Sequence, residues 1–180
     1  MLPALIRKMH LGKALENDDW ASITSDLDKL PIEGVDGSAS KDDILMVLEK
    51  YGVQKTNSTV QLEVWGSGKP MREFLWSEDM ADACVFLMEN RTFKDCISEN
   101  SKEVRNTHIN IGTGIDISIK NLALLIKNSI GFRGELYFNT KKPDGTMKKL
   151  TDPSKLHALG WKHRINLEEG IKEVYDWYCN

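Results

Sequence analysis

The chain has 180 residues, of which 41% are apolar and 28% charged, and its formal net charge at pH 7 is −3. This length is enough to bury a core as one domain, or as one domain with a long insertion. The slightly acidic balance gives no general attraction to nucleic acid or to anionic lipid, so neither is an expected partner.

The cysteine pattern and the N-terminal sequence limit the cellular compartments in which this chain is expected. Cys84, Cys96 and Cys179 form no C-x-x-C pair and leave an odd count, which argues against a disulfide framework and against a zinc site. In "MLPALIRKMH" the basic residues follow a short apolar stretch, the reverse of a secretory signal, and no apolar run reaches the ~18 residues of a spanning helix. We expect a cytoplasmic chain that binds no metal and no membrane.

The N-terminal part combines a helix with a polar segment. Leu2, Leu5, Ile6 and Met9 recur at helical spacing and predict an opening helix that ends near Gly12. From about residue 16 to residue 59 the composition is acidic and polar, and we interpret this segment as an insertion, either a solvated excursion or a partner surface. Within it, "KDDILMVLEKYG" predicts a short helix that is closed by Gly52.

A strand and a helix follow this segment. "VQLEVWG" alternates apolar and polar residues, which predicts a half-buried strand with Trp65 on its polar face. At that position the indole ring could pack on a ligand, although a Trp side chain is often only part of the hydrophobic core. Ser77 can cap the next helix, whose apolar stripe contains Cys84, so we expect this thiol in the core rather than as a nucleophile.

"THINIGTGIDISIKNLALLIKNSIG" predicts a strand over residues 108–111, a Gly-Thr-Gly turn, and a helix capped by Ser118 and ended by Gly131. The third glycine of a dinucleotide fingerprint is missing, so a structural turn is favoured over a phosphate cradle. "GELYFNT" predicts one more strand. The Lys-dense "KKPDGTMKKL" is either a solvated loop or part of a binding site.

Two helices complete the chain. "TDPSKLHALGW" predicts a short helix after Asp152, and "NLEEGIKEVYDWYC" a last helix with an Asn166/Glu169 capping pair. The predicted order is α, insertion, β, α, β, α, β, loop, α, α, which indicates a mixed α/β (α+β) fold rather than a complete doubly wound sheet. We find no GxxGxxG turn after an early strand, and we expect no Tyr-x-x-x-Lys pair for proton transfer.

Four motifs carry a resemblance to a known family. "VWGSGKPMREFLWSEDMADA", "HINIGTG", "KPDGTMKKL" with "DPSKLHALGW", and "NLEEGI" occur in an order and spacing that resemble GDP-L-fucose synthase, an extended short-chain dehydrogenase/reductase. The resemblance covers residues 1–9 and 60–180. It implies that residues 1–180 form a single GDP-sugar-binding lobe, the C-terminal substrate-binding lobe without a complete Rossmann domain, with an insertion at about 16–59.

The resemblance also implies an activity and a set of site residues. Enzymes of this family convert GDP-4-keto-6-deoxy-D-mannose to GDP-L-fucose, by epimerisation beside the ketone and then reduction by NADPH. Their substrate-contacting positions match Lys8, Trp65, Arg72 and Asp144, and a phosphate-contacting position matches Lys149. This chemistry is reasonable, because a diphosphate favours a guanidinium fork with an ammonium group nearby.

The same resemblance places the nucleotide fingerprint and the catalytic residues of the family upstream of this chain. We therefore nominate no catalytic, cofactor-binding or metal-binding residue here. We expect NADPH in the complete enzyme but not on this chain alone, which should be inactive without a Rossmann lobe or partner chain. An exposed apolar surface that includes Leu2, Leu5 and Ile6, and parts of the strand that carries Trp65, should favour a homodimer.

Two alternatives remain at this point. The chain could be a stand-alone, non-catalytic module that binds nucleotide sugars and docks on a partner. It could also be part of another sugar-nucleotide epimerase or dehydratase.

Overall fold

A computed structural model describes residues 1–97 and 103–180. The long helices are α1 (Leu2–Glu16), α2 (Trp20–Lys29), α3 (Lys41–Tyr51), α4 (Ser77–Asn90), α5 (Ile119–Ile130) and α7 (Leu167–Cys179), with a short α6 (Ser154–Ala158) and a 3-10 turn at Phe93–Cys96. The strands are β1 (Val53–Lys55), β2 (Val60–Trp65), β3 (Met71–Glu73), β4 (Asp116–Ser118), β5 (Glu135–Asn139) and β6 (Lys148–Lys149). These elements confirm the mixed α/β class.

None of the helices in the described ranges combines the length and the apolar character that crossing a membrane would require. The chain groups into two compact units. The first comprises Met1–Pro70 and Ile119–Gly145, and the second comprises Met71–Ser118 and Thr146–Tyr178. The sequence led us to expect a single lobe, and whether the two units work as one lobe stays a prediction.

The first unit is a three-stranded sheet covered by helices. Strand β2 lies in the middle, antiparallel to β1 and parallel to β5, and α1 contacts β2, α2 and α5. Along β2, Val60, Leu62 and Val64 are buried whereas Trp65 is 65% exposed. The alternation predicted for this strand is therefore confirmed.

Helix α1 is buried more deeply than predicted. Leu5 and Ile6 are 6% and 1% exposed, so the expected exposed apolar face is wrong at these two positions. Arg7 is buried as well, and its Nε donates to Asp26 Oδ2 of α2 at 2.9 Å. Breaking one side of such a buried pair leaves an uncompensated charge, so the pair fixes α1 against α2.

Residues 16–59 contribute to the core of the first unit. Most of their buried apolar side chains come from α2 and α3, and two lie outside these helices: Ile23, Leu27, Ile44, Val47 and Leu48, with Ile32 and Val53. Helix α3 begins after Ser40, which caps it, and ends at Gly52 with φ of 92°, so the predicted helix and its glycine stop are confirmed. The interpretation as a solvated excursion is wrong for these side chains, and the boundaries of an insertion stay a prediction.

The second unit contains a sheet in the order β4-β3-β6 and a small apolar core. Strand β3 is antiparallel to β4 and parallel to β6. The core is built on Ala83, Leu156 and Trp161, with Leu75, Phe86, Leu87, Ile109 and Ile111 packed around it. Residues 108–111 were predicted as a strand, but they form none; the antiparallel partner of β3 is residues 116–118.

Helix α4 turns a different face inward than its sequence predicts. It begins at Ser77 with Trp76 as its N-cap residue and without a side-chain cap, so the prediction that Ser77 caps it is wrong. Ala83 is its fully buried apolar side chain. Cys84 is exposed, and Met80 and Met88 are 47% and 75% exposed, so the prediction of a core thiol is wrong. In α7, by contrast, Asn166 Oδ1 accepts a hydrogen bond from Glu169 N at 2.9 Å, as predicted.

Candidate functional site

The five predicted site residues divide between the two units. Lys8, Trp65 and Asp144 belong to the first unit, and Arg72 and Lys149 belong to the second.

Trp65 presents an aromatic face at the end of β2. Its partner across the ladder is Asn139 of β5, after which the Lys-dense loop begins. Lys142 Nζ of that loop lies 4.7 Å from the centre of the indole ring. A cation at this distance is attracted to the ring, and the exposed indole remains available for a planar ligand group.

Asp144 organises the Gly-Ser-Gly turn after Trp65. It accepts hydrogen bonds from Ser67 N at 2.8 Å and from Ser67 Oγ at 2.6 Å. These two bonds, the hydroxyl first and then the amide, lower the pKa of the Asp144 carboxyl. Gly66 has φ of 85°, and a Cβ there would collide with Asp144. The carboxylate retains acceptor capacity, so its contact with a substrate stays a prediction.

Lys8 is half-buried and already has partners within its unit. Its Nζ donates to Glu63 O at 3.2 Å and lies 5.0 Å from the centre of the Tyr51 ring. Burial lowers the pKa of Lys8, and the Glu63 charge opposes this change. Its predicted contact with a substrate is untested, and these partners would compete with such a contact.

Arg72 and Lys149 are neighbours in the second unit. They are paired across the parallel strands β3 and β6. Both line a shallow pocket of about 530 Å³, which is completed by Glu73, Lys148, Leu150 and Thr151. Arg72 Nη1 donates to Met71 O and Thr146 O, both at 2.6 Å. Within residues 1–97 and 103–180, the other guanidinium nitrogens have no hydrogen-bond partner, so they remain available for an anion.

Glu73 is the residue of this pocket that the sequence analysis missed. Burial alone would raise the pKa of its carboxyl, but hydrogen bonds from Thr151, Gly114 and Thr113 outweigh burial and lower it. Because the amides of Thr113 and Gly114 donate to Glu73, the Gly-Thr-Gly stretch is a structural turn, as predicted, and not a phosphate cradle. The only sequence signal for Glu73 was its position next to Arg72, which was predicted to contact the substrate.

Two Tyr-x-x-x-Lys spacings exist after all, at Tyr51/Lys55 and at Tyr137/Lys141. In the second, Tyr137 lies in β5 and Lys141 in the turn that follows it, so these two side chains do not share a helix. In the first, helix α3 ends at Tyr51, and Gly52 turns the chain into β1, so the two side chains do not follow one another along a helix. Lys55 Nζ bonds Asp18 Oδ1 at 2.6 Å, and the Tyr51 ring lies against Lys8. Tyr51 and Lys55 therefore have different partners and no shared site.

Comparison with known proteins identifies the relatives of this chain. Residues 37–112 match the model of the NAD dependent epimerase/dehydratase family. Putative GDP-L-fucose synthase 2 of Arabidopsis thaliana is 42% identical over 132 residues, which is 73% of this chain and 37% of that protein. The chain thus spans well under half the length of this curated relative.

Two solved structures match over more of the chain. A GDP-6-OMe-4-keto-L-xylo-heptose reductase from Campylobacter jejuni is 47% identical, with a TM-score of 0.83 over 98% of this chain and 47% of that one. A GDP-D-glycero-L-gluco-heptose synthase from the same organism, solved in the presence of NADPH, is 45% identical, with a TM-score of 0.83 over 100% of this chain and 47% of that one. Residues 16–59 therefore lie within the part that these structures match.

Proposed function

Because this chain belongs to the NAD dependent epimerase/dehydratase family, we propose that it is the GDP-sugar-binding part of an NADPH-dependent enzyme that modifies GDP-sugars. The plant relative and the two Campylobacter structures support the substrate class, since each of their three names contains a GDP-sugar. The observation that carries the proposal is the pairing of Arg72 with Lys149 at an open pocket. A guanidinium fork beside an ammonium group is suited to a diphosphate.

Each predicted residue has a proposed role. Arg72 and Lys149 bind the diphosphate, for which their position on adjacent strands is the support. Trp65 offers a flat surface to a base or sugar ring, supported by its exposure and by the adjacent Lys142. Asp144 and Lys8 supply polar contacts to the substrate, Lys8 after exchanging its present partner Glu63.

The chain alone is proposed to be inactive. Hydride transfer needs a positioned nicotinamide, and the roles proposed for the residues of this chain are all toward the GDP-sugar. We propose that an NADPH-binding Rossmann region, on the same polypeptide or on a partner chain, completes the enzyme. Self-association is supported by exposed apolar side chains of α4, namely Met80 and Met88, and a cytoplasmic location is supported by the three free thiols.

Two sugars are candidates for the substrate. GDP-4-keto-6-deoxy-D-mannose is favoured by the motifs that resemble GDP-L-fucose synthase. A GDP-heptose is favoured by the two structures that match 98% and 100% of this chain, at 47% and 45% identity. The GDP group is common to both candidates, and it is therefore the part of the substrate proposed first.

Calorimetric titration of the purified chain with GDP and UDP tests the proposal. We expect GDP to bind at least about tenfold more tightly, a difference of ~1.4 kcal/mol. Equal affinity for UDP would contradict the assignment to GDP-sugars and would favour another sugar-nucleotide epimerase or dehydratase. Titration of a GDP-heptose against a GDP-6-deoxyhexose then separates the two sugars. Stable co-purification with a separate Rossmann-type protein would favour a docking module instead.

A further inference from the structure

We propose that Glu73 is a positioning residue for the diphosphate pocket, and that it acts by holding the segment that carries Lys149 in place beside Arg72. This inference rests on the proposed function and names a residue that the sequence motifs did not assign. Arg72 and Glu73 are consecutive residues of β3, so one short strand supplies both a proposed ligand and the group that fixes its neighbours.

Both carboxylate oxygens of Glu73 are used. Oε1 accepts from Thr113 N at 2.6 Å, from Gly114 N at 2.7 Å and from Thr113 Oγ1 at 3.2 Å. Oε2 accepts from Thr151 N at 3.0 Å and also from Thr151 Oγ1. One side chain therefore connects the turn before β4 to the residue two positions beyond Lys149. We call this arrangement the Glu73 clamp.

The segment needs such support because β6 has only two residues. Residues 146–150 are all exposed, so burial does little to fix them. The other attachments of this segment to β3 are the two-residue ladder of β6, the Met71 N to Met147 O bond at 2.7 Å and the Arg72 Nη1 to Thr146 O bond at 2.6 Å. The Glu73 clamp fixes the far end of the segment with an ionised acceptor, and such hydrogen bonds are about twice as strong as neutral ones.

A carboxylate is the group that fits these contacts. All the groups around Glu73 donate, and a carboxylate accepts on both oxygens. A glutamine would direct its amide NH2 toward either the Gly114 amide or the Thr151 amide, leaving two donors opposed. The turn has little room to adjust, because a Cβ at Gly112 would collide with Thr151 Oγ1 and lie 2.6 Å from Glu73 Oε1.

If Glu73 acts only through its charge, its substitution should change anion binding in one direction; if Glu73 positions the lysine segment, the change should be in the opposite direction. Glu73→Gln removes one negative charge from a pocket that also contains Arg72, Lys148 and Lys149. If Glu73 influenced anion binding only through its charge, the variant would bind pyrophosphate more tightly. If Glu73 positions the lysine segment, the variant binds pyrophosphate more weakly despite the lost negative charge.

The experiment is calorimetric titration of the chain with pyrophosphate at constant ionic strength. We compare the natural chain with Glu73→Gln and with Glu78→Gln, an exposed control on α4 with the same change of charge. We expect ~5- to 10-fold weaker binding for Glu73→Gln and no weakening for the control. Thr151→Val, which loses one hydroxyl donor and keeps its backbone bond, should weaken binding by a smaller factor and serves if Glu73→Gln does not fold.

Amide hydrogen exchange provides a readout independent of the ligand. In Glu73→Gln, exchange should accelerate at Thr151 and in residues 113–114, while α7 keeps its protection. Unchanged or tighter pyrophosphate binding by a folded Glu73→Gln, with Arg72→Ala still weakening it, would overturn this inference alone. No binding of pyrophosphate by the natural chain would overturn the proposed diphosphate pocket and this inference with it.

Discussion

Asp79 should contribute strongly to the stability of the second unit, because its buried carboxylate accepts two backbone hydrogen bonds. Its side chain is 1% exposed, and Oδ2 accepts hydrogen bonds from Arg164 N at 3.0 Å and from Ile165 N at 2.9 Å. The carboxylate thus connects the first turn of α4 to the segment before α7. The Arg164 side chain is 69% exposed, so its 3.6 Å ion pair with Asp79 adds little.

The cost of Asp79→Ala follows from these two bonds. The substitution leaves two partly buried N–H groups without an acceptor, each costing ~1–2 kcal/mol, so the free energy of unfolding should fall by ~2–4 kcal/mol. Both N–H groups bond the same oxygen, so Asp79→Asn keeps an acceptor for them and loses the charge; it should therefore cost less than the alanine variant. A domain is typically stable by only ~5–15 kcal/mol, so the alanine variant loses a large share.

Urea unfolding at pH 7, followed by tryptophan fluorescence and circular dichroism, measures both variants. Trp161 lies in the core next to α4 and reports on this unit. Glu89→Gln, an exposed change on the same helix, is the control and should stay within ~0.5 kcal/mol of the natural chain. A cost below ~1 kcal/mol for Asp79→Ala, or equal costs for the alanine and asparagine variants, would refute the reasoning.

Three further predictions concern pH, thiols and turnover. The folded-state pKa values of Glu73 and Asp79 lie below their ordinary values of 4.5 and 3.8, because hydrogen bonds to each carboxylate outweigh the effect of burial. The stabilisation from these two carboxylates is therefore complete above about pH 4.5 and is lost as the pH falls further. Unfolding midpoints that stay constant from pH 6 to pH 3 would contradict this prediction. Cys84 and Cys179 are exposed and should react rapidly with a thiol reagent, with Cys96 slower; mass analysis without reductant should show no disulfide. The chain with NADPH and GDP-4-keto-6-deoxy-D-mannose should oxidise no NADPH above the buffer rate; turnover without a partner protein would mean that catalytic groups lie within these residues.

Local signals predicted the parts of the fold that depend on nearby residues. The alternation of β2 located Trp65 on the exposed face, and the left-handed conformation at Gly52 ended α3 where expected. The Asn166 cap of α7 was also predicted correctly, because a capping side chain bonds the backbone of a residue only three positions away.

The errors arose where a long-range partner decides the outcome. Cys84 belongs to a regular apolar stripe, yet the small core of the second unit contacts α4 through Ala83 and leaves the thiol exposed. Helix α2 has only Ile23 and Leu27 as its fully buried apolar side chains, so its polar composition concealed its packing. Periodicity shows that a face is apolar but not what covers it.

In the candidate site, too, local sequence predicted the residue types, whereas the contacts between distant residues became visible only in the structure. The residue types of Arg72 and Lys149 suggested an anion site, but their pairing across β3 and β6 became visible only in the structure. The role of Glu73 depends on donors 40 and 78 positions away in the sequence, at Thr113 and Thr151, and no local pattern connects them. Lys8 matched a substrate-contacting position, whereas the structure gives it partners of its own.

The most direct test of the central claim is the affinity of the purified chain for GDP in the natural form and in Arg72→Ala. Loss of one charge-assisted pair should cost ~1.5–3 kcal/mol, so we predict ~10- to 100-fold weaker binding. Lys172→Ala, an exposed change on α7 that also removes one positive charge, is the matched control and should leave the affinity within about twofold. If Arg72→Ala and the control bind GDP as tightly as the natural chain, the pocket between β3 and β6 is not the diphosphate site.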